Sequence, residues 1–596
     1  MTKHTYNHGL IGNCAFLAHI HKNTNVSWLC WPKFDSSFVF GGLLDDKKGG
    51  EFSILPSGGA FSSNQQYIEN TNVLCTEVEN EDGKYRVIDF APRFYQYDRY
   101  FKPLMLIRKI EPLSGTPRIR VTCEPRGEYG SIKPSKNQGS NHVTFLGLES
   151  EIRLTTNISL TYILENTYFV LNDVQYMVLT YGAPLEAPVE STCERFLKET
   201  IRYWRNWVKS TSIHNFYQKQ VIRSALVLKI HQYEDTGGII AASTTSLPES
   251  PGSGRNWDYR YCWLRDTYYT LTAFNHIGHF EELEKYFHFI ANVSANAQDR
   301  YQPLYSVSGS DRLVEKVMDL QGYQGNQPVR IGNQAYEHIQ NDVYGQILLS
   351  LLPLYVDRRF IAEERAGSRQ LVYQVLSKIS ERIDEPDAGL WEFRDLQQYH
   401  AYTYLFHWAG SMAALKIARV LKDDHMLKIA TKLMNAAVEK IEACYDKQRG
   451  VYTQAIGTQN LDASTLQLIM MNYLDVHSER ARSHLASLEK DLKAESGLFY
   501  RYKHTDDFGK PETTFLICAF WYVEALSCVG RIDEAVQTFE NLLGYSNHLD
   551  LLSEDVDAKT GSQWGNFPQA YSHVGLVNAA FRIATKVDKP NFLEDI

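Results

Sequence analysis

The chain has 596 residues, long enough for roughly two to four domains, and its 44% hydrophobic and 22% charged content is that of a soluble globular protein. A formal charge of -9 with no Lys/Arg block gives no support for a nucleic-acid partner. The first ten residues hold no apolar targeting core and no run of about 18 apolar residues occurs anywhere, which argues against a membrane and for a cytoplasmic location.

The 13% aromatic share leans towards ligands that stack on rings, a carbohydrate among them. The nine cysteines are scattered, with no C-x-x-C and no Cys/His cluster at metal spacing, so they read as reduced core thiols. No metal or organic cofactor is implied.

From residue 1 to about 185 the period is that of strands. Ile119, Val121 and Cys123 alternate with Arg118, Arg120 and Thr122, and Asp82-Gly83 lies between two such runs as a hairpin turn. Further turn signals at Pro56-Ser57-Gly58-Gly59 and Lys136-Asn137-Gln138-Gly139 suit many short strands, so this region reads as an antiparallel β-sandwich. The aromatic stretch from Trp28 to Asp35 either packs in that core, the better fit, or faces a neighbouring site.

Residues 186–212 read as a linker helix, with an amphipathic stretch from Cys193 to Trp207. Residues 213–596 then carry a helical period: Val372, Val375, Leu376, Ile379 and Ile383 share one face, as do Ile532, Ala535, Val536, Phe539 and Leu543. Helix starts fall near 214, 263, 279, 336, 360, 400, 425, 461, 479, 513, 532 and 568, and the last helix ends near 587. Six helical hairpins without a repeat in sequence are most economically closed as a barrel of six inner and six outer helices, with its working end on the loops.

Three loop segments carry candidate chemistry. In the first, Asn256-Trp257-Asp258-Tyr259-Arg260-Tyr261-Cys262-Trp263-Leu264-Arg265-Asp266, aromatics and charges alternate at a loop-to-helix junction. Apolar sugar faces stack on rings, while hydroxyls take charge-assisted bonds from carboxylate and guanidinium, so the pattern suits a pyranose. The same residues also suit a buried aromatic core with one internal ion pair.

The second segment is Asp387-Ala388-Gly389-Leu390-Trp391-Glu392, and the third runs from Leu552-Ser553-Glu554-Asp555-Val556-Asp557 to Gly565-Asn566-Phe567-Pro568. Two carboxylates on separate loops are what glycoside hydrolysis needs. An apolar neighbour such as Trp391 is expected to raise the acid's pKa, while Ser553, Asp555 and Asp557 leave room for an ionised base. Alternatively, Glu392 serves a helix N-terminus and Glu554 belongs to a solvated acidic turn.

With these motifs, together with Trp28-Leu29-Cys30-Trp31-Pro32 and Gln569-Ala570-Tyr571-Ser572-His573, nearly the whole chain resembles glycoside hydrolase family 15, which holds glucoamylases, bacterial trehalases and related exo-α-glucosidases. The resemblance implies an (α/α)6 barrel behind a β-sandwich, and hydrolysis with inversion. It implies Glu392 as general acid, Glu554 as general base, and Arg265 and Asp266 as holding the terminal glucose. Tyr259 is placed near the base, Trp263 and Trp391 in the pocket wall, and Arg330 on a further substrate loop. The Glu512-Thr513-Thr514-Phe515 segment, and the shifted His and Trp positions between Tyr399 and Trp408, depart from the family pattern and bear on substrate choice.

The expected activity is release of β-glucose from non-reducing ends of starch, glycogen or maltooligosaccharides, with α,α-trehalase as the alternative and α-1,6 cleavage behind it. A phosphorylase dispenses with a general base, so Glu554 favours hydrolysis. A glycan-binding protein without catalysis has no use for both glutamates.

Overall fold

A computed structural model describes residues 3–297, 299–361 and 367–587. Its N-terminal part is built from antiparallel sheets. The largest has eight strands, in the order Ser135–Gln138, His142–Leu146, Ile152–Thr156, Gln175–Tyr181, Met105–Gly115, Gly83–Phe90, Leu74–Asn80 and Ser62–Tyr67. A four-stranded sheet (His8–Gly12, Leu17–His21, Val26–Cys30, Phe38–Phe40) and a three-stranded one (Phe169–Val170, Arg118–Glu124, Glu51–Pro56) form the facing layer. Strand His8–Gly12 and strand Glu51–Pro56 both lie against Leu74–Asn80, which brings the layers together.

The expected alternation places Ile119, Val121 and Cys123 in the core. Asn80 pairs with Gly83, so the hairpin turn is Glu81-Asp82. The turn expected at Lys136–Gly139 is instead mostly strand: Ser135–Gln138 is the outermost strand of the large sheet, and all four residues are exposed. A strand wetted on both faces carries no hydrophobic period, so only its polar composition showed in the sequence. The short helix Leu160–Leu164 was likewise not anticipated.

Across the two layers runs a buried arginine. Arg108 Nε donates to Asp89 Oδ1 at 2.7 Å, Nη1 donates to the Phe52 carbonyl at 2.8 Å, and Nη2 donates to the Thr24 carbonyl. Both partners of the ion pair are fully buried, and burial raises the Asp89 carboxyl even beside Arg108. The guanidinium thus ties the large sheet to both sheets of the facing layer.

Helix Val189–Lys209 leads out of the sheets and turns Phe196, Leu197 and Trp204 inward. The barrel follows. Its inner ring is formed by Leu264–Ile277, Asp342–Val356, Ala401–Leu421, the 3-10 turn Ala463–Leu466 with the short helix Gln467–Met470, Leu516–Cys528 and Ala570–Val587, each packed on the next and the last on the first. Inner helices are apolar on every side: all thirteen residues of Leu516–Cys528 are buried. Outer helices are amphipathic, as in Ile532–Leu543, where Ala535, Thr538, Phe539 and Leu542 are buried.

The expected helix starts fall close to the observed ones, with two departures. The start near 336 meets a 3-10 turn, Gln334–Glu337, and the α-helix begins at Asp342. The start near 360 precedes residues 362–366, which lie outside the described residues, and the helix there is Ser368–Arg382. Residues 588–596 of the proposed barrel segment lie outside them as well. The nine cysteines are buried and unpaired, and no helix among the described residues is long and apolar enough to cross a membrane.

Replacing Arg108 with Leu leaves Asp89 as a buried charge without its partner, at an expected cost of about 3–5 kcal/mol in unfolding free energy. The deficit should shrink at acid pH, because protonation of Asp89, whose folded pKa is already raised, removes the orphaned charge. Urea unfolding of wild type and variant at pH 7.5 and pH 5 measures both.

Candidate active site

The segment Trp257–Trp263 is extended, bridging to residue 245 at Asp258 and pairing with Leu304–Tyr305 at Cys262–Trp263. Side chains of extended backbone alternate between faces, and the sequence exploits this. Trp257, Tyr259 and Trp263 line a cavity at the N-terminal ends of the inner helices. Asp258 and Arg260 point the other way and are fully buried.

Arg260 grips Asp258 with two bonds, Nε to Oδ1 at 2.9 Å and Nη2 to Oδ2 at 2.7 Å, and its Nη1 donates to the Ser36 carbonyl at 2.7 Å. The aromatic stretch Trp28–Asp35 is therefore both core and backing for the site. Trp28 is buried, lies 5.8 Å from the Arg260 guanidinium, and donates its Nε1 to the Ser243 carbonyl at 2.8 Å. The segment is divided by face, with a buried ion pair behind and aromatic rings lining the cavity in front.

Glu392 lies on a turn with φ 63, a left-handed conformation that is costly for a residue with a side chain, and its helix starts only at Ala401. Gly389 at φ 66 makes that turn possible, since a Cβ there would stand 2.7 Å from the His400 ring. Three donors converge on Glu392 Oε1: Trp263 Nε1 at 2.7 Å, Gln340 Nε2 at 3.2 Å and Arg265 Nη2 at 3.4 Å. Gln340 also accepts from Arg265 Nη1 at 2.8 Å, which fixes the guanidinium.

Glu554 is 1% exposed, so it is not part of a solvated turn. Its Oε1 accepts from Tyr259 OH at 2.6 Å and its Oε2 from the Asn566 backbone N–H at 3.1 Å. Asn566 in turn donates to the Trp257 carbonyl at 2.9 Å, joining the first and third motifs. Gly565 at φ 74 lets the chain pass this carboxylate: a Cβ would meet Glu554 Cβ and Oε2 at 2.5 Å. Tyr6, from the N-terminal segment, holds the same loop by donating its OH to the Gly565 carbonyl at 2.8 Å.

The electrostatics differ from the sequence expectation. The Trp391 indole donates to Asp462 Oδ2 at 2.7 Å, away from Glu392, and it is Trp263 that meets the Glu392 carboxylate. The residues expected to keep Glu554 ionised do not surround it with solvated polarity. Asp557 accepts from the backbone of its own turn, at Lys559 and Thr560, while Asp555 is buried. Burial, and after it the charge of Glu249, pushes both Glu554 and Asp555 up. Asp266, in the first turn of Leu264–Ile277, is also pushed up, to about 7, because burial outweighs the neighbouring Arg265.

Of the residues singled out in the sequence, Tyr259, Trp263, Arg265, Asp266, Trp391 and Glu392 line one cavity, with Glu554 behind Tyr259. Arg330 does not line it. Its Nη1 donates to the Gly254 and Asn256 carbonyls at 2.9 and 3.0 Å, and its guanidinium lies 4.6 Å from the Trp257 ring, so it braces that ring. Among the described residues, no group of three or more His, Cys, Asp or Glu is arranged to hold a metal ion.

Sequence reasoning missed the outer wall. Glu249 pairs with Arg501 and accepts from Trp257 Nε1 at 3.0 Å; Arg255 pairs with Asp506; and Phe508 packs edge-on to Trp257 with centroids 5.0 Å apart. The only local sign was the mixed aromatic and charged run from Arg501 to Phe508. The departures between Tyr399 and Trp408 lie mostly behind the cavity: His400 stacks on Phe393, and His407 bonds to the Asn341 carbonyl.

Glu249→Gln removes the charge that most opposes ionisation of Glu554 and leaves Arg501 unpaired beside it, and both changes favour the carboxylate. The acid limb of the pH profile of kcat should therefore move to lower pH, which a pH-rate series on wild type and variant reads directly.

The chain is similar to known proteins over almost its whole length. A family model described as "Glycosyl hydrolases family 15" matches residues 215–581, and one described as "Trehalase-like, N-terminal" matches residues 3–162. A protein of Thermoplasma volcanium named "Trehalase" is 33% identical over 98% of this chain and 93% of its own length. A protein of Mycobacterium tuberculosis, also named "Trehalase", is 32% identical over 94% of this chain and 86% of its own. Among solved structures, a bacterial glucoamylase complexed with acarbose superposes with a TM-score of 0.68 at 16% identity, covering 100% of this chain and 97% of that one, a likeness of fold.

Proposed function

Since the chain belongs to glycosyl hydrolases family 15, we propose that it is an α,α-trehalase that cleaves trehalose with inversion, rather than the glucan hydrolase that the sequence put first. The observation that carries this reading is the similarity, at 31–33% identity over nearly the full chain, to four proteins named trehalase. The outer wall supports it. The Glu249–Arg501 and Arg255–Asp506 pairs, with Arg394 4.7 Å from the Trp257 ring, offer charged partners for the hydroxyls of a second glucose. A site built to bond hydroxyls discriminates strongly against sugars that leave those groups unpaired.

In this mechanism one glucose ring lies against Trp263 and Trp391, with Arg265 and Asp266 bonding its hydroxyls. Glu392 protonates the glycosidic oxygen as the C–O bond breaks. Glu554, held by Tyr259 and the Asn566 amide, takes a proton from a water that attacks the anomeric carbon from the opposite face. The attacked ring leaves as β-glucose and the leaving ring as α-glucose. Burial of Glu554 makes its carboxylate a stronger base once ionised.

Proton NMR of a fresh trehalose digest should show α- and β-glucose appearing in equal amounts, and two α-glucoses would show retention. Glu392→Gln and Glu554→Gln should each lower kcat by at least about 10²–10⁴-fold with the fold intact. A variant keeping more than about a tenth of wild-type turnover would remove that residue from its role.

A further inference from the structure

All six inner elements begin at the catalytic loops, and further along them a second cavity of about 270 Å³ opens. A layer of tyrosines separates the two. Tyr571 lines the catalytic cavity and Tyr269 the second, their ring centroids lie 5.3 Å apart, and the Tyr269 hydroxyl meets that of Tyr402 at 3.1 Å.

The second cavity joins apolar faces to polar groups of both kinds. Tyr268, Trp408 and Met412 are partly buried and line it. Gln467 is 2% exposed and its side-chain Nε2 has no hydrogen-bond partner among the described residues. A buried donor left unpaired costs about 1–3 kcal/mol, and this one belongs to a cavity-lining side chain. Glu524, also buried, supplies an acceptor and meets Arg582 Nε at 3.4 Å, a long bond. Asn578, which pairs through Oδ1 with His276 Nδ1 at 3.1 Å, adds its amide, and Lys416 stands exposed at the rim.

We propose that this cavity is a second carbohydrate site that holds a single neutral hexopyranose, separate from the catalytic pocket. The mixture of groups favours a hydroxylated ring over an anion. Hydroxyls both give and take hydrogen bonds, as the Gln467 amide and the Glu524 carboxyl require, whereas an anion would use only donors and would face Glu524. Aromatic side walls suit the apolar faces of a pyranose. The volume, just below the usual range of ligand pockets, matches one ring in size.

Equilibrium dialysis with labelled glucose tests it, since glucose is not consumed. The catalytic pocket has places for both glucoses of trehalose and can itself take up to two, so the second site is counted as the one glucose per chain that depends on this cavity. Trp408→Ala, which removes an aromatic wall, and Met412→Trp, which fills the cavity, should each lower the count by one glucose per chain, or weaken that glucose at least tenfold, while leaving hydrolysis near wild type. Because the two variants alter the cavity in opposite senses, a folding failure in one leaves the other as the test. A bound-glucose count and affinity that the folded variants leave unchanged would overturn the proposal. So would displacement of the cavity-dependent glucose by inorganic phosphate at lower concentration than by unlabelled glucose, which would make this an anion site.

Discussion

The buried Asp258–Arg260 clamp is the constraint on which the site depends. Two residues of one extended segment satisfy each other, and the same groups reach the Ser36 carbonyl in the sheet domain and the Gly332 backbone N–H in a barrel loop. With that face fixed, the alternation of the strand leaves no choice for the other: Tyr259 must present its hydroxyl to Glu554, and Trp263 its indole N–H to Glu392. One short segment therefore positions both glutamates, although they come from loops 162 residues apart in number, at 392 and 554. The sheet domain takes part in the site because the back of this segment is bonded into it.

Around that segment the site is divided electrostatically. Glu392 is met by three donors on one oxygen, two of them cooperating through Gln340. Glu554 sits in a buried group with Glu249 and Asp555, where Arg501 pairs with Glu249. Like charges held close in a poorly solvated place cannot all ionise with ease. Glu249 therefore has two roles, bracing the Trp257 indole and setting how readily Glu554 gives up its proton.

Much of this was legible in the sequence, for identifiable reasons. The helical period is strong because the outer helices have one apolar face, and the loop motifs stand out because they concentrate aromatics and carboxylates where turns are expected. Glu249, Gln340 and Arg501 were not legible as site residues: none belongs to the three loop motifs, and the partners Glu249 and Arg501 are brought together only by closure of the barrel. Arg330 was placed on a substrate loop by the family resemblance alone, and its guanidinium is used by backbone carbonyls and the Trp257 ring. The surroundings of the two glutamates were misjudged because adjacency in sequence was taken for adjacency in space, when the indole bonded to Glu392 belongs to Trp263 and the charge that bears most on Glu554 to Glu249.

Substrate choice is the central claim, and it turns on whether the wall of Glu249, Arg255, Arg501 and Asp506 accepts a second glucose joined 1,1 in preference to one joined 1,4. The direct measurement is kcat/KM for trehalose and for maltotriose with the same enzyme, buffer and temperature. The account predicts an advantage for trehalose of at least the tenfold to few-hundredfold that one well-placed polar contact supplies, about 1–3 kcal/mol. An equal or larger kcat/KM for maltotriose would contradict it and return the chain to the glucan hydrolases.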